Sequence, residues 1–244
     1  CHYANYWIHS GLLTMNNQKM SKSTGNFLTI RDALKKYDFE VIRYNVFQVH
    51  YSSNADFNAD KFGLALKRIH YFYKTLDRVN QIKNTIQDAP QEILSDVDIA
   101  QIQKQFHDAM DDDFNMPRAF VVIQEIFSQI NEILDRKGVK PKHKVYSLEK
   151  LTEIAMKFLE IFGLAQRSPE KFFKQIYQRL VESKKLDSNR VDFLLQARVR
   201  ARQAKDYEES DRLRDQLLQL GLQVQDTPQG QCWEVSEEAL YSLC

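Results

Sequence analysis

Apolar residues at alternating steps of four and three run through the middle of the chain, and this spacing constrains the fold more than any other feature. It first appears in residues 62–76 and returns in residues 120–134, 151–162 and 172–180, each time lining one face of a helix. The apolar members of the first face are Phe62, Leu66, Ile69, Tyr73 and Leu76. Each such face needs a partner that excludes water. The sequence therefore predicts a helical bundle.

The limits of these helices are marked by residue types that begin or end helices. Asn115 with Pro117, and Ser168 with Pro169, combine a side-chain oxygen that accepts a backbone N–H with a proline in the first turn. Gly163 follows the third apolar series at the place where a left-handed glycine ends a helix. We therefore expect helices to begin at the first two sites and one to end at the third.

The segments 87–91 and 138–147 are interpreted as connections between helices. The second segment and the residues just before it are rich in basic side chains, which suits either an ordinary solvated loop or a contact with nucleic acid. These basic residues are Arg136, Lys137, Lys140, Lys142, His143 and Lys144.

Both ends of the chain differ from the helical middle. Residues 1–28 mix aromatic and small side chains without a helical period, which indicates loops or short strands, and Thr29 can then cap the first of several short helices. Near the other end, helical spacing stops before Gly221 and alternation resumes on both sides of the turn residues 226–230. We expect a small hairpin on a helical base there.

Composition excludes several classes of protein. With 27% charged and 43% hydrophobic residues and only 7 Gly and 5 Pro, the chain has the composition of a globular, helix-leaning protein. Because 34 Lys and Arg nearly balance 33 Asp and Glu, any contact with phosphate must come from locally clustered charge. The longest strictly apolar run is about five residues, far below the roughly 20 that cross a bilayer, so no membrane insertion is expected.

The three cysteines, Cys1, Cys232 and Cys244, have neither a CxxC pair nor the spacing of a disulfide framework. A reducing cytosol fits this usage best. Cys1 with His2 is an isolated pair without matched partners, and we assign it no metal. Since the sequence starts with Cys1 instead of Met, we expect it to be the later part of a longer protein.

The sharpest chemical signal is the pentapeptide Lys19-Met20-Ser21-Lys22-Ser23. Two lysines three residues apart, with hydroxyl and backbone donors between them, suit the binding of a polyphosphate. In an adenylation reaction a carboxylate attacks the α-phosphorus and pyrophosphate leaves, so the negative charge that grows on the leaving group must be stabilised. The pentapeptide therefore predicts an ATP site, in which Lys19 and Lys22 are the catalytic candidates.

This pentapeptide is the KMSKS signature of class I aminoacyl-tRNA synthetases, and its surroundings resemble the cysteinyl-tRNA synthetase family. Similarity in order and approximate spacing extends over essentially the whole chain. The similar segments are residues 6–11, 25–27, 41–44, 50–51, 110–115 and 202–215.

The resemblance implies a mainly α chain with four parts. Residues 1–28 would be the end of a class I Rossmann-like catalytic domain with the KMSKS loop, and residues 29–60 a segment that contacts the tRNA stem. Residues 61–186 would form the helical bundle, and residues 187–244 a small α+β anticodon-binding domain.

The same resemblance implies elements that this sequence lacks. The HIGH motif of the family lies on the N-terminal side of its catalytic domain, and nothing before Lys19 supplies it. The zinc ion that grips the cysteine thiolate is likewise expected in the intact enzyme, with its ligands upstream of this chain. We therefore predict no metal ligand here, and no formation of cysteinyl-adenylate by these residues alone.

Residues 198–215 form the second candidate site. Arg198, Arg200, Arg202 and Lys205 occur without an acidic residue among them, whereas acidic and basic residues alternate afterwards. A positive helix face of this kind can meet phosphates, and neighbouring Arg and Asp can contact base edges. An ordinary helix stabilised by ion pairs would have the same composition.

The resemblance favours RNA recognition for this segment. It implies that Arg202, Asp211, Arg214 and Asp226 recognise the anticodon bases, with Tyr207 at a position where the family can carry an aromatic side chain. Trp233 offers a second planar surface on which a base could stack.

We therefore expect part of a cysteine–tRNA ligase, which activates L-cysteine with ATP and magnesium and transfers it to tRNA(Cys). The resemblance further implies a cytoplasmic, monomeric enzyme. Two alternatives stay open at this point. One is a related cysteine-adenylating ligase that acts on a small amino sugar, and the other is a non-catalytic helical RNA-binding or scaffold protein.

Overall fold

The computed structural model describes residues 3–21, 25–86, 89–94, 96–227 and 230–243, and the elements below are those of this part of the chain. Most of these residues are helical, so the predicted mainly α class is confirmed. The chain divides into two compact units, Cys1–Gln166 and Arg167–Cys244. Within the described ranges, no helix combines the length and the apolar character that spanning a membrane requires.

The first unit contains a small sheet followed by long helices. Its elements are β1 (Leu13–Met15), β2 (Gln18–Lys19), α1 (Ile30–Lys36), α2 (Phe39–Phe47), β3 (Ala55–Phe57), α3 (Ala59–Thr85), α4 (Ile99–Asp111), α5 (Met116–Asp135) and α6 (Pro141–Ile161). Strand β1 lies between the other two, antiparallel to β2 and parallel to β3. The expectation of short strands near the N-terminus is thus confirmed.

Helix limits follow the capping residues. The Thr29 hydroxyl accepts a hydrogen bond from the Asp32 amide at 3.0 Å, and the Asn115 side chain accepts one from the Arg118 amide at 3.2 Å. Gly163 has a φ of 63° directly after α6, which is the left-handed conformation predicted for it. These three expectations are confirmed.

The interpretation of residues 138–147 as a connection is wrong, because α6 begins at Pro141. The ammonium group of Lys144 is buried, and it donates hydrogen bonds to the carbonyl oxygens of Leu134 (3.0 Å) and Arg136 (2.6 Å). These carbonyls lie at the end of α5, so the lysine satisfies a helix terminus and is not part of a solvated loop. Because Lys144 is charged, the sequence predicts an exposed loop where the helix has a buried residue.

Stacked phenylalanine rings form much of the bundle core. The rings of Phe106 and Phe158 lie with centroids 3.7 Å apart, and those of Phe72 and Phe127 lie 4.4 Å apart. All four side chains are buried, and each contributes about 1.5–3 kcal/mol relative to an exposed position. Phe106 belongs to α4, a helix that the apolar series did not identify.

Helix α2 is fixed to the end of α6 by polar contacts. The fully buried Glu40 carboxylate accepts hydrogen bonds from the Tyr73 hydroxyl at 2.9 Å and from the Ala165 amide at 3.2 Å. One turn later, the Arg43 Nε donates to the carbonyl oxygen of Phe162 at 2.8 Å. The segment that follows the KMSKS signature is therefore joined to the bundle within one unit.

The second unit is a helical base that carries a hairpin. Its elements are α7 (Pro169–Lys184), α8 (Ser188–Gln203), α9 (Tyr207–Gln219), β4 (Leu222–Thr227), β5 (Gly230–Val235) and α10 (Glu237–Ser242). Strands β4 and β5 are antiparallel, with Leu222 opposite Val235, so the predicted hairpin is confirmed. Contacts between α7 and β5 place α7 in this unit, whereas the division from sequence assigns residues 61–186 to the bundle.

Candidate functional sites

Lys19 lies at the end of a tight hairpin that Asp56 stabilises. The turn residues Asn16 and Asn17 have φ values of 52° and 62°, a conformation that asparagine adopts more readily than most residues. The Asp56 carboxylate of β3 accepts hydrogen bonds from the Thr14 hydroxyl and from the Asn17 amide, both at 2.7 Å. These bonds, the hydroxyl first, lower the pKa of Asp56, so the carboxylate stays ionised as an acceptor.

Glycine is required where the chain enters β1. The Gly11 amide donates to the carbonyl oxygen of Tyr51 at 2.8 Å, and a Cβ at this position would lie 2.1 Å from the carbonyl oxygen of Ser53. The next amide, that of Leu12, donates to the Asn54 side chain at 2.9 Å. The strand before the KMSKS signature therefore rests directly on the backbone of residues 51–54.

Asn26 joins the two sides of the KMSKS loop. Its side-chain oxygen accepts a hydrogen bond from the Ser21 amide at 2.9 Å, and its Nδ2 donates to the carbonyl oxygen of Lys19 at 3.0 Å. Gly25, directly before it, has a φ of 71°. Both bonds involve backbone atoms, so Asn26 fixes the path of the main chain and leaves the lysine side chain uncommitted.

The described part of the signature presents its charge to solvent. The Lys19 side chain is exposed, whereas Met20 and Ser21 are half-buried. The predicted ATP-binding residues Lys22 and Ser23 lie outside the described residues. An exposed ammonium group beside a braced backbone can meet a phosphate without first breaking a contact of its own.

In the second unit, a buried arginine binds the predicted anticodon residue Asp226. Arg198 is 2% exposed, and its two terminal nitrogens donate to the two carboxylate oxygens of Asp226 at 3.0 and 2.9 Å. Its Nη1 also donates to the side-chain oxygen of Gln231 at 2.7 Å. Arg198 therefore does not belong to the exposed positive face predicted from the sequence, because it lies on the buried side of α8.

Arg202 and Tyr207 extend this arrangement to the surface. The Arg202 Nη2 lies 3.3 Å from the second oxygen of Asp226, and its guanidinium carbon lies 5.7 Å from the centre of the Tyr207 ring. Tyr207 is 58% exposed, so its ring is accessible to a planar ligand. Hydrogen bonds from Arg198, followed by the charges of Arg202 and Arg214, lower the pKa of Asp226 below its usual value.

Asp211 and Arg214 form a separate ion pair on α9. The Arg214 Nη1 lies 3.2 Å from the Asp211 carboxylate, and both side chains are about half exposed. Exposed pairs of this kind contribute at most about 1 kcal/mol to stability, so either group can exchange its partner for a ligand at low cost. Arg214 is near enough to Asp226 to lower its pKa, which links the pair to the group around that carboxylate.

The aromatic side chain of Trp233 lies on β5 and contacts helix α7. Its ring centre is 4.9 Å from that of Tyr177, in an edge-to-face arrangement, and 39% of the side chain stays exposed. The same face of the hairpin carries Asp226 and Gln231, because alternate residues of a strand share a face. Trp233 is therefore partly committed to packing, whereas Tyr207 is more open.

Three family models match the chain in the order of these sites. Residues 1–67 match the model for the class I (C) tRNA synthetase catalytic domain, residues 105–166 the DALR domain, and residues 188–233 the cysteinyl-tRNA ligase anticodon binding domain. The first match contains the KMSKS signature, and the last contains the cluster around Asp226.

Several cysteine–tRNA ligases are similar along nearly the whole chain. The enzyme of Oleidesulfovibrio alaskensis is 35% identical over 239 residues, which are 96% of this chain and 49% of the relative. That of Maridesulfovibrio salexigens is 35% identical over 240 residues, or 95% and 48% of the two chains. That of Thermococcus gammatolerans is 36% identical over 237 residues, or 95% and 47%.

The chain belongs to the cysteinyl-tRNA synthetase family. It spans about half the length of the curated relatives that it matches. Within this family member, the structure brings Arg202, Tyr207 and Asp226 together, adds Arg214 by its charge, and leaves Asp211 and Trp233 in contacts of their own.

Sequence reasoning did not identify Asn26, Gln231 or the buried role of Arg198. A signal for Arg198 was present, since it continues the apolar series of α8 at a helical step after Val191 and Leu194. No comparable signal exists for Gln231, because its hydrogen-bond partners, Arg198 and Leu195 of α8, lie 33 and 36 positions away along the chain.

Proposed function

We propose that this chain is part of a cysteine–tRNA ligase that activates L-cysteine with ATP and transfers it to tRNA(Cys). The observation that carries the proposal is the convergence of Arg202, Tyr207 and Asp226 inside the segment that matches an anticodon binding domain. Similar proteins named cysteine–tRNA ligase support it along nearly the whole chain.

On the catalytic side, Lys19 and Lys22 stabilise the triphosphate of ATP, which reaches the site with magnesium. The cysteine carboxylate attacks the α-phosphorus, the bond to the β-phosphate oxygen breaks, and the two ammonium groups offset the charge that grows on pyrophosphate. Met20, Ser21 and Ser23 shape the loop, and Asn26 holds its backbone. The attacking carboxylate is already ionised, so no residue has to transfer a proton. The residues of the loop position the substrates and supply positive charge.

Zinc belongs to the intact enzymes of this family, but the described residues do not fit it. Zinc sites in proteins require three or four closely placed His, Cys, Asp or Glu ligands. The described part of the chain contains no group of three such residues. We therefore assign zinc no ligand among the described residues and derive no step through it.

On the RNA side, Arg202, Tyr207, Asp211, Arg214, Asp226 and Trp233 form the proposed anticodon contact. The Asp226 carboxylate accepts hydrogen bonds from base N–H groups, and arginine forks donate to base or phosphate oxygens. Tyr207 supplies the open surface for stacking, and Trp233 contributes the part of its ring that α7 leaves exposed. Such contacts act on unstacked bases of a single-stranded loop.

Binding of RNA stem-loops by the 244-residue chain tests this proposal directly. We expect tighter binding of a stem-loop with a cysteine anticodon than of matched stem-loops in which one anticodon base is replaced, by about tenfold per base. The measurement is filter binding at two salt concentrations, because phosphate contacts alone give salt-dependent but sequence-independent affinity. Equal binding of all stem-loops would contradict the proposal.

The same experiment separates the alternatives. A ligase that joins cysteine to a small amino sugar has no use for an anticodon reader, so equal and weak binding of all stem-loops favours it. A non-catalytic RNA-binding or scaffold protein would leave the KMSKS residues dispensable. The match of residues 188–233 to an anticodon binding domain favours the tRNA ligase over both.

The proposal extends to location and assembly. We place the enzyme in the cytoplasm, where aminoacylated tRNA is used, and we expect a monomer. Light scattering of the purified protein tests the second point, and a dimer mass would contradict it.

A further inference from the structure

Arg198 has no place in the proposed contact with RNA, yet it is the most heavily bonded arginine beside it. Its side chain is 2% exposed, and its terminal nitrogens make three hydrogen bonds, two to Asp226 and one to Gln231. Its Nε has no hydrogen-bond partner among the described residues. Burying a guanidinium with one N–H left without a partner costs free energy. The three bonds that Arg198 does make therefore call for an explanation.

The pair formed by Arg198 and Asp226 is asymmetric. The arginine is buried, whereas 38% of the Asp226 side chain is exposed to solvent. A guanidinium fork holds both carboxylate oxygens in one plane, which a lysine cannot do. The buried Arg198 thus holds the carboxylate on its protein side, while its other side is open to solvent.

Gln231 fixes the guanidinium group of Arg198. Its side-chain oxygen accepts from Arg198, and its Nε2 donates to the carbonyl oxygen of Leu195 at 3.1 Å. The bonds therefore form a closed path from α8 through Gln231 of β5 and back through Arg198, with Asp226 of β4 attached. Neither the carboxylate nor the fork can rotate without breaking a bond.

Stability alone does not explain this arrangement. Replacing a buried ion pair by apolar residues is frequently neutral or stabilising, so the fold could dispense with the pair. A protein, however, distinguishes one base edge from another by where it places its hydrogen-bond acceptors. An acceptor that is already fixed loses no conformational freedom when the base binds.

We propose that Arg198 is a positioning residue for anticodon recognition, which holds the Asp226 carboxylate in the orientation that accepts N–H groups of one base. This inference rests on the proposed function. Arg198 does not touch RNA. It acts through Asp226, with Gln231 as its brace.

The test compares Arg198→Lys with Arg200→Lys in the 244-residue chain. Both variants keep a positive charge on α8, but Arg200 is exposed and serves as the matched control. The probes are the stem-loop with a cysteine anticodon and three versions with one anticodon base replaced. We expect Arg198→Lys to lose about tenfold in discrimination at one anticodon position, whereas Arg200→Lys keeps the wild-type pattern.

A merely structural role would change binding in another way. Loss of local structure weakens every stem-loop by a similar factor, whereas the proposal requires that affinity for the mismatched RNA stays within about twofold. In an Asp226→Ala background, Arg198→Lys should cause no further loss of discrimination, because the two residues act as one unit. Uniform weakening, or a full additional loss in that background, would overturn the inference.

The remaining outcomes are also decisive. If the wild-type chain binds all the stem-loops equally, the proposed function is wrong, and so is the inference that rests on it. If the wild type discriminates and Arg198→Lys does so equally well, the inference alone fails. Should Arg198→Lys not fold, Gln231→Ala decides by the same measurements, since it removes the brace and keeps both charges; unchanged discrimination in that variant would overturn the inference.

Discussion

The two candidate sites of this chain hold their charged groups in opposite ways. At the KMSKS signature, Asn26 binds the backbone on either side of the loop, and the Lys19 side chain is exposed. At the hairpin of the second unit, the side chains themselves are fixed, since Arg198 binds both oxygens of Asp226. One site braces the main chain, and the other braces the functional group.

This difference suits the ligands that we propose for the two sites. A triphosphate is a large, diffuse negative charge, and an ammonium on a flexible stem can meet it from many directions. A base edge is a small pattern of donors and acceptors, and a displaced acceptor no longer matches it. Accordingly, the exposed Lys19 lies at one site, and a buried guanidinium fork lies at the other.

The strongest test of the comparison is Lys22→Ala in a polypeptide that contains this chain and a complete catalytic domain. Loss of one stabilising charge on the leaving pyrophosphate should slow adenylation about 100-fold, as removal of a transition-state donor does in other enzymes. Affinity for tRNA should not change. Rapid-quench measurement of adenylate formation checks the rate, and Lys35→Ala, which alters an exposed pair with Asp32, is the control. An unchanged rate would remove the catalytic half of the comparison.

A second test removes the carboxylate of the fixed site. Asp226→Ala leaves the buried Arg198 with only Gln231 and should lower the free energy of unfolding of the second unit by about 2 kcal/mol, less than for a fully buried pair because Asp226 is partly exposed. Urea titration followed by Trp233 fluorescence, in a Trp7→Phe background, measures it. Asp211→Ala, at an exposed ion pair, should cost no more than about 0.5 kcal/mol. Equal losses would erase the distinction between the two pairs.

A third test concerns the backbone brace of the KMSKS loop. Asn26→Ala removes the bonds to Lys19 and Ser21 and should lower the rate of adenylation about tenfold, which corresponds to about 1.4 kcal/mol. Gln18→Ala, at an exposed position of β2, should leave the rate unchanged. If Asn26→Ala reduced the rate as severely as Lys22→Ala, catalysis would depend on the backbone position of the loop as much as on its charges.

The smallest expected effect is on acid stability. The pKa of Asp226 is lowered in the folded chain, chiefly by hydrogen bonds from Arg198. Its contribution is therefore fully present above the unfolded pKa of about 4 and is lost as the pH falls through the lower folded value. The unfolding midpoint of the second unit should fall less between pH 6 and about pH 3 in Asp226→Ala than in wild type. Parallel curves would show that the pair is not linked to protonation.

Much of the fold could be predicted because its signals are local. Apolar steps of three and four, capping residues such as Thr29 and Asn115, and the turn residues of the hairpin all act within a few positions of the chain. Helix α4 was missed because no apolar series was recognised in it, although its Phe106 is buried in the core. The start of α6 was missed because Lys144 carries a charge that tertiary contacts satisfy.

The candidate site residues were proposed from residue type, whereas their arrangement in space could not be predicted. Lys19 and the residues around Asp226 were selected from the pentapeptide and from the resemblance to a family, and their roles stay predictions. What Asn26 and Arg198 do depends on partners that only folding brings together: the bond from Arg198 to Asp226 crosses 28 positions of the chain. No local pattern encodes such a partner, so the sequence alone predicts Arg198 as part of an exposed positive face.

The contact at Gly11 limits which residues this position of the chain can accept. Because a Cβ there would stand 2.1 Å from the Ser53 carbonyl oxygen, even alanine forces the two stretches of main chain apart. Since β1 pairs with both β2 and β3, such a separation would shift the ribbon that ends at Lys19. The small side chain of Gly11 is thus required for the position of the exposed Lys19, for which we propose a contact with the nucleotide.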